Sequence, residues 1–108
     1  MFADGRLARD CASERACVRR FGVNGRRVQR RLQELQAAEV LSDMRNAPGR
    51  LHPLSGNRAG EYAVSILEPF RLILEPADDP IPRTDDGTVN TDAVRSVRIL
   101  EVTNYHDR

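Results

Sequence analysis

The chain has 108 residues and a formal net charge of +1, with 40% hydrophobic and 31% charged residues, and it has no run approaching the ~18 apolar residues of a membrane span. This composition excludes a disordered or membrane-spanning chain, and the N-terminus lacks the apolar segment of a signal peptide. We therefore expect a single cytoplasmic domain over residues 1–108 with no membrane partner.

The small net charge conceals a division of the chain into a basic and an acidic half. Residues 1–58 contain twelve Arg against six acidic residues, a net charge of +6, whereas residues 59–108 contain five Arg against ten, a net charge of −5. Arg binds phosphate in a bidentate manner and stacks on bases. The basic half therefore indicates nucleic-acid contact, with a merely solvated basic surface as the alternative.

A helical pattern of apolar residues runs from Asp4 to Phe21, and a break near Ser13 is compatible with it. Cys11 and Cys17 lie six residues apart on this predicted helix, so their side chains should point about 120° apart. We expect two free thiols, buried or half-buried, that do not bridge. Two Cys and two distant His give no metal-ligand spacing, so no metal or other cofactor is expected.

A second helix is predicted over residues 25–38, with Asn24 as its N-cap. Its apolar stripe falls at i, i+4 and i+7, on Val28, Leu32 and Leu35. Its other faces carry four arginines, namely Arg26, Arg27, Arg30 and Arg31. The two helices should form a short antiparallel hairpin with a basic outer surface.

Beyond Pro48-Gly49 the pattern changes to strands. Extended segments are predicted at residues 50–54, 61–67, 70–75 and 95–102, with an acidic loop over residues 76–94. If Phe70, Leu72 and Leu74 face the helices, the period of two places Arg71 on the open face of the sheet. The expected fold is therefore α+β, with a helical hairpin packed on a mostly antiparallel sheet of three or four strands.

Four residues with reactive or stacking side chains lie at predicted strand ends in the C-terminal part, namely His52, Tyr62, Tyr105 and His106. Imidazole titrates near neutral pH, and tyrosine can stack on a base or donate a hydrogen bond. Arg58 and Arg71 are suited to holding phosphate. Residue types alone also permit simple solvated side chains at these positions.

Three segments resemble the HigB-like toxins of the RelE/ParE superfamily, which belong to type II toxin–antitoxin systems. They are RLHPLSGNRAGEYAVSI, RLILEPADD and the ending RILEVTNYH. The resemblance extends from about Leu7 to His106. Its most specific parts are the LHPL-x-G-x-R-x-G stretch and the apolar strand that ends in Tyr-His.

The resemblance implies a microbial ribonuclease-like fold that enters the ribosomal A site and cleaves messenger RNA there. His52 matches the histidine of the family's LHPLKGDR motif, Arg71 its strand arginine, and Tyr105 and His106 the end of its DYH motif. These four residues form the expected catalytic site, in which a general base, a general acid and a guanidinium act on the RNA backbone.

The expected site extends beyond these four residues. Arg58 is expected to be a secondary phosphate contact, and Arg27 and Arg30 are expected to touch ribosomal RNA. The resemblance further implies three partners: the ribosome, messenger RNA and a HigA-like helix-turn-helix antitoxin. Because that antitoxin would repress the shared promoter, operator DNA would be bound only through it.

Three positions depart from the family pattern. Ser55 replaces a common Lys, Asn57 replaces an Asp, and Asn104 replaces the Asp of the DYH ending. The last change removes a carboxylate able to raise the pKa of a neighbouring histidine. The initial strand is also shorter than usual in these toxins.

Other functions remain compatible with the sequence. One is a ParE-like protein that inhibits DNA gyrase by binding alone. Another is a degenerate toxin that keeps antitoxin binding but has lost ribonuclease activity, for which the departures at Ser55 and Asn104 are the motive. The least specific is a generic RNA-binding module.

Overall fold

The computed structural model describes residues 1–104 of the chain, the last of them by its backbone alone. Its fold is α+β, with helices in the N-terminal part and one antiparallel four-stranded sheet in the C-terminal part. The α-helices and strands are α1 (Gly5–Asp10), α2 (Glu14–Phe21), α3 (Gly25–Ala37), β1 (His52–Pro53), β2 (Tyr62–Leu67), β3 (Phe70–Pro76) and β4 (Val97–Asn104), with short 3₁₀ helices at Gly22–Asn24, Leu41–Arg45 and Gly56–Arg58. None of the helices in residues 1–104 is long and apolar enough to span a membrane.

The helical part is less regular than predicted, because the first expected helix is two short ones. A side-chain oxygen of Asp4 accepts a hydrogen bond from the backbone N–H of Leu7 at 2.8 Å and caps α1. Ser13 caps α2 in the same way through the N–H of Ala16 at 3.0 Å. Because an N-cap residue has extended backbone, Ser13 interrupts the helix, and only α3 is longer than eight residues.

The interruption brings two thiols together, which contradicts the prediction that Cys11 and Cys17 point apart. Both side chains are buried and free, and each thiol is close enough to affect the pKa of the other. Burial, followed by the neighbouring thiol, raises the pKa of Cys11 to about 12. The Cys17 thiol donates to the side-chain oxygen of Gln29 at 3.2 Å, which connects α2 to α3.

A turn of only three residues, Gly22–Asn24, connects α2 to α3. Gly25 begins α3 against the backbone of α2, so close that an added Cβ would lie 2.5 Å from the Cα of Val18. Asn24 does not cap α3 through its side chain, contrary to prediction. It is buried instead, and its side-chain oxygen lacks a hydrogen-bond partner among the described residues.

The sheet is an antiparallel meander in the order β1-β2-β3-β4. The predicted strands are all present, although β1 is reduced to two residues and β4 begins and ends two residues later than predicted. Along the outer edge of β4, Phe2 forms an isolated parallel bridge with Ile99. No helix or strand occurs between β3 and β4, in agreement with the predicted loop.

The core lies between the helices and one face of the sheet. Val28 of α3 is fully buried, and Leu32 and Leu35 pack against the same cluster, as the helical stripe predicted. The sheet contributes Val64, Leu72 and Leu74, the short 3₁₀ helix Leu41–Arg45 contributes Leu41 and Met44, and loops contribute Leu51 and Val94. Leu72 and Leu74 therefore face the helices, which confirms the predicted orientation of β3.

We predict that Gly25→Ala destabilises the protein. The new Cβ would collide with α2 backbone atoms, which cannot move aside as the end of a flexible side chain can. Overpacking of this kind costs about 1–3 kcal/mol. Urea unfolding would measure the loss, with Gly5→Ala as the control because its Cβ would meet only Arg9 at 3.6 Å. Equal midpoints for Gly25→Ala and wild type would contradict the account of the helix contact.

Candidate active site

The face of the sheet that points away from the helices carries a layer of charged and polar side chains. One cross-strand row runs from His52 through Ala63 and Ile73 to Glu101. Both apolar residues of this row are fully buried, so neighbouring side chains of this face must cover them. The next row pairs Ser65 with Arg71 and Arg71 with Thr103, so Arg71 lies on the open face as predicted.

His52 and Arg71, two of the predicted site residues, lie side by side on this face. Nε2 of His52 is 3.5 Å from Nη1 of Arg71, and Nδ1 of His52 is 3.3 Å from the backbone oxygen of Arg50. A carbonyl only accepts hydrogen bonds and a guanidinium only donates them. In a neutral ring, these partners favour the tautomer with its proton on Nδ1, which leaves the lone pair of Nε2 on the side of Arg71.

Glu68, in the turn between β2 and β3, binds the other terminal nitrogen of Arg71. Its two carboxylate oxygens lie 3.0 and 3.2 Å from Nη2. The hydroxyl of Ser65 donates to the same carboxylate at 3.3 Å. The Arg71 side chain is only 18% exposed, whereas that of Glu68 is 59% exposed. The guanidinium therefore joins an exposed carboxylate to the imidazole of His52.

Arg58 lies on the same face and is held between two carboxylates. Its Nη2 is 2.7 Å from Glu101 and its Nε is 2.6 Å from Glu61. The hydrogen bond that Arg58 donates to Glu101 is the main cause that raises the pKa of Arg58; burial lowers this pKa, and the hydrogen bond donated to Glu61 raises it further. The predicted phosphate contact is thus already occupied by anions, and an RNA phosphate would have to compete with them.

The two predicted RNA-binding arginines of α3 are elsewhere. Arg27 and Arg30 are both exposed, and α3 packs on the opposite face of the sheet from His52. Their neighbour Arg31 is turned inward, where it donates from Nε to the backbone oxygen of Ser65 at 2.9 Å and pairs with Glu34. Arg27 and Arg30 therefore belong to a separate basic surface, not to the His52–Arg71 pair.

The remaining candidates have different positions. Tyr62 is buried in the core, where burial raises its pKa. Tyr105 and His106 lie outside the described residues. The last described residue, Asn104 of β4, pairs with Phe70, the neighbour of Arg71.

Sequence reasoning missed three carboxylates of this face, namely Glu61, Glu68 and Glu101. The Glu61–Arg58 and Glu68–Arg71 pairs are both separated by three residues, a short-range spacing that was available in the sequence. Glu101 is 43 residues from Arg58, and no local pattern indicates that pairing.

These features define a candidate site of one imidazole, two arginines and three carboxylates on the open face of the sheet. Protein-family models and the curated proteins contain no match to the sequence, so the site is interpreted from its own chemistry and from the motifs described above.

Proposed function

We propose that the chain is a HigB-like toxin that cleaves messenger RNA on the ribosome. The observation that carries the proposal is the pairing of His52 with Arg71 on the open sheet face, at 3.5 Å. An imidazole beside a guanidinium is the combination needed to move a proton and to stabilise a phosphate. We further propose that the protein acts in the cytoplasm, where a HigA-like antitoxin neutralises it and mediates binding to operator DNA.

The proposed reaction begins at the 2′-hydroxyl of RNA. The phosphate takes Nη1 of Arg71 away from Nε2 of His52. The lone pair of Nε2 is then free to accept the 2′-OH proton, and the 2′ oxygen attacks the adjacent phosphorus. The P–O5′ bond breaks, the 5′ oxygen receives a proton from His106, and a 2′,3′-cyclic phosphate remains. Arg71 stabilises the charge that develops on the phosphoryl oxygens, and Tyr105 orients a base by stacking.

The ribosome has a physical role in this proposal. Both arginines of the site are already bound to carboxylates, so a phosphate gains little by displacing those carboxylates. A larger partner therefore has to hold the messenger RNA in a reactive geometry. The exposed Arg27 and Arg30 on the opposite side supply a second contact, to ribosomal RNA.

We predict that the induced protein stops bacterial growth and cuts messenger RNA within translated codons, while purified protein leaves naked RNA nearly intact. His52→Ala should reduce cleavage about 10²–10⁴-fold, and Arg71→Ala about 10²–10³-fold. Single-turnover cleavage on programmed ribosomes would measure both, with Arg98→Ala as the control on the same face. Equal cleavage of free and ribosome-bound RNA would rule out the ribosome-dependent mechanism, and gyrase inhibition without RNA cuts would favour the ParE-like alternative.

The basic surface of α3 generates a separate prediction. Reversing Arg27 and Arg30 to Glu should weaken ribosome binding and flatten its dependence on salt, because fewer counterions are released. The fold should persist since both side chains are exposed. Cosedimentation at several salt concentrations would test this, with Arg6 and Arg9 of α1 reversed as an equal charge change elsewhere. Unchanged binding at low salt would show that these arginines are only solvated.

A substitution at Asn104, which departs from the family pattern, can distinguish an attenuated enzyme from an inactive one. Asn104→Asp adds a negative charge two residues before His106, which favours protonated imidazole. Cleavage should rise and its pH optimum move upward if His106 is the acid. His106→Ala should lower the rate about 10²–10⁴-fold.

Single-turnover pH profiles of wild type, both variants and the double variant would measure these effects. Wild-type rates for His106→Ala would refute its assignment. A wild type that is inactive until Asn104→Asp is introduced, alone or with Ser55→Lys, would identify a degenerate toxin.

A further inference from the structure

We propose that Glu68 is a positioning residue of the candidate active site, whose carboxylate fixes the direction in which the Arg71 guanidinium presents its nitrogens to His52 and to phosphate. The inference rests on the proposed function, because it assigns a role within the same site.

The geometry of three side chains carries the proposal. Glu68 binds Nη2 of Arg71 through both oxygens, at 3.0 and 3.2 Å, while Nη1 of the same guanidinium lies 3.5 Å from Nε2 of His52. A guanidinium is planar and rigid. Holding Nη2 at the turn therefore restricts where Nη1 can point. Ser65, the cross-strand partner of Arg71, donates to the carboxylate and orients Glu68 in turn.

The exposure of the Glu68 side chain indicates that Glu68 orients Arg71 and contributes little to the stability of the fold. Its side chain is 59% exposed, and exposed ion pairs contribute little to folding. Arg71 is largely buried, so its stem has few alternative directions. The carboxylate of Glu68, which binds the end of the Arg71 side chain, is well suited to select one of these directions.

A different role for Glu68 predicts a change in the cleavage rate in the opposite direction. If its carboxylate only occupied Arg71 and repelled the phosphate, removing it would increase cleavage. If it positions Arg71, Glu68→Ala should lower the rate at saturating ribosomes about 10- to 100-fold, the usual effect of a small misplacement. The half-saturating ribosome concentration should not rise, because a negative charge has been removed from an RNA-binding face.

Two further variants sharpen the test. Glu68→Gln keeps an oxygen that accepts from Nη2 and should retain activity within roughly 3-fold of wild type. Glu75→Ala removes a carboxylate from the same face, where it pairs with Arg98, and should leave the rate near that of wild type. A wild-type or faster rate for Glu68→Ala would overturn the proposal, and so would an equal loss in Glu75→Ala.

A readout in the free protein separates this inference from the proposed function. Nitrogen NMR of the Arg71 guanidinium, assigned by its loss in Arg71→Lys, should show slow rotation in wild type and Glu68→Gln and fast rotation in Glu68→Ala. If wild type cleaves no RNA, the proposed function fails while this measurement still tests the positioning. Equally restricted rotation in Glu68→Ala would overturn the role of Glu68 whatever the activity.

Discussion

Strand β3 turns Leu72 and Leu74 towards the helices and Arg71 and Ile73 towards the other side, and the rest of the molecule is arranged around this alternation. A slip of one residue would expose the two leucines and put a guanidinium into the apolar core. Burial of those leucines therefore fixes the register of β3. Because β2 pairs with both β3 and β1, the same constraint brings His52 to Arg71.

The charged layer on the open face is a consequence of what lies beneath it. Ala63 and Ile73 are fully buried on this side, although the helices are on the other. Guanidinium groups above such residues are partly removed from water and need anionic partners. Glu61, Glu68 and Glu101 supply them. The proposed binding of RNA to this face would thus exchange one anion for another.

The sequence correctly predicts the features that depend on short-range periodicity. The strands β2 and β3, the stripe on α3 and the position of Arg71 all follow from which residues are apolar and how they are spaced. The sequence does not predict contacts that form only when separate segments of the chain pack together. Cys11 contacts Cys17 because capping by Ser13 outweighs continuation of one helix, and Asn24 is buried because α3 begins directly against α2. Glu101 reaches Arg58 across the sheet, and only the complete strand order determines that contact.

The pair of buried thiols gives the molecule an internal reporter of its own motion. Protonated, enclosed sulfur reacts slowly with alkylating reagents, since thiolate is the nucleophile, and burial raises the pKa of both Cys11 and Cys17. Labelling in the folded state then has to pass through an opening of the junction between α1 and α2. Its rate consequently measures the free energy of that local opening. The dynamics of the helical layer can be followed in this way without adding a probe.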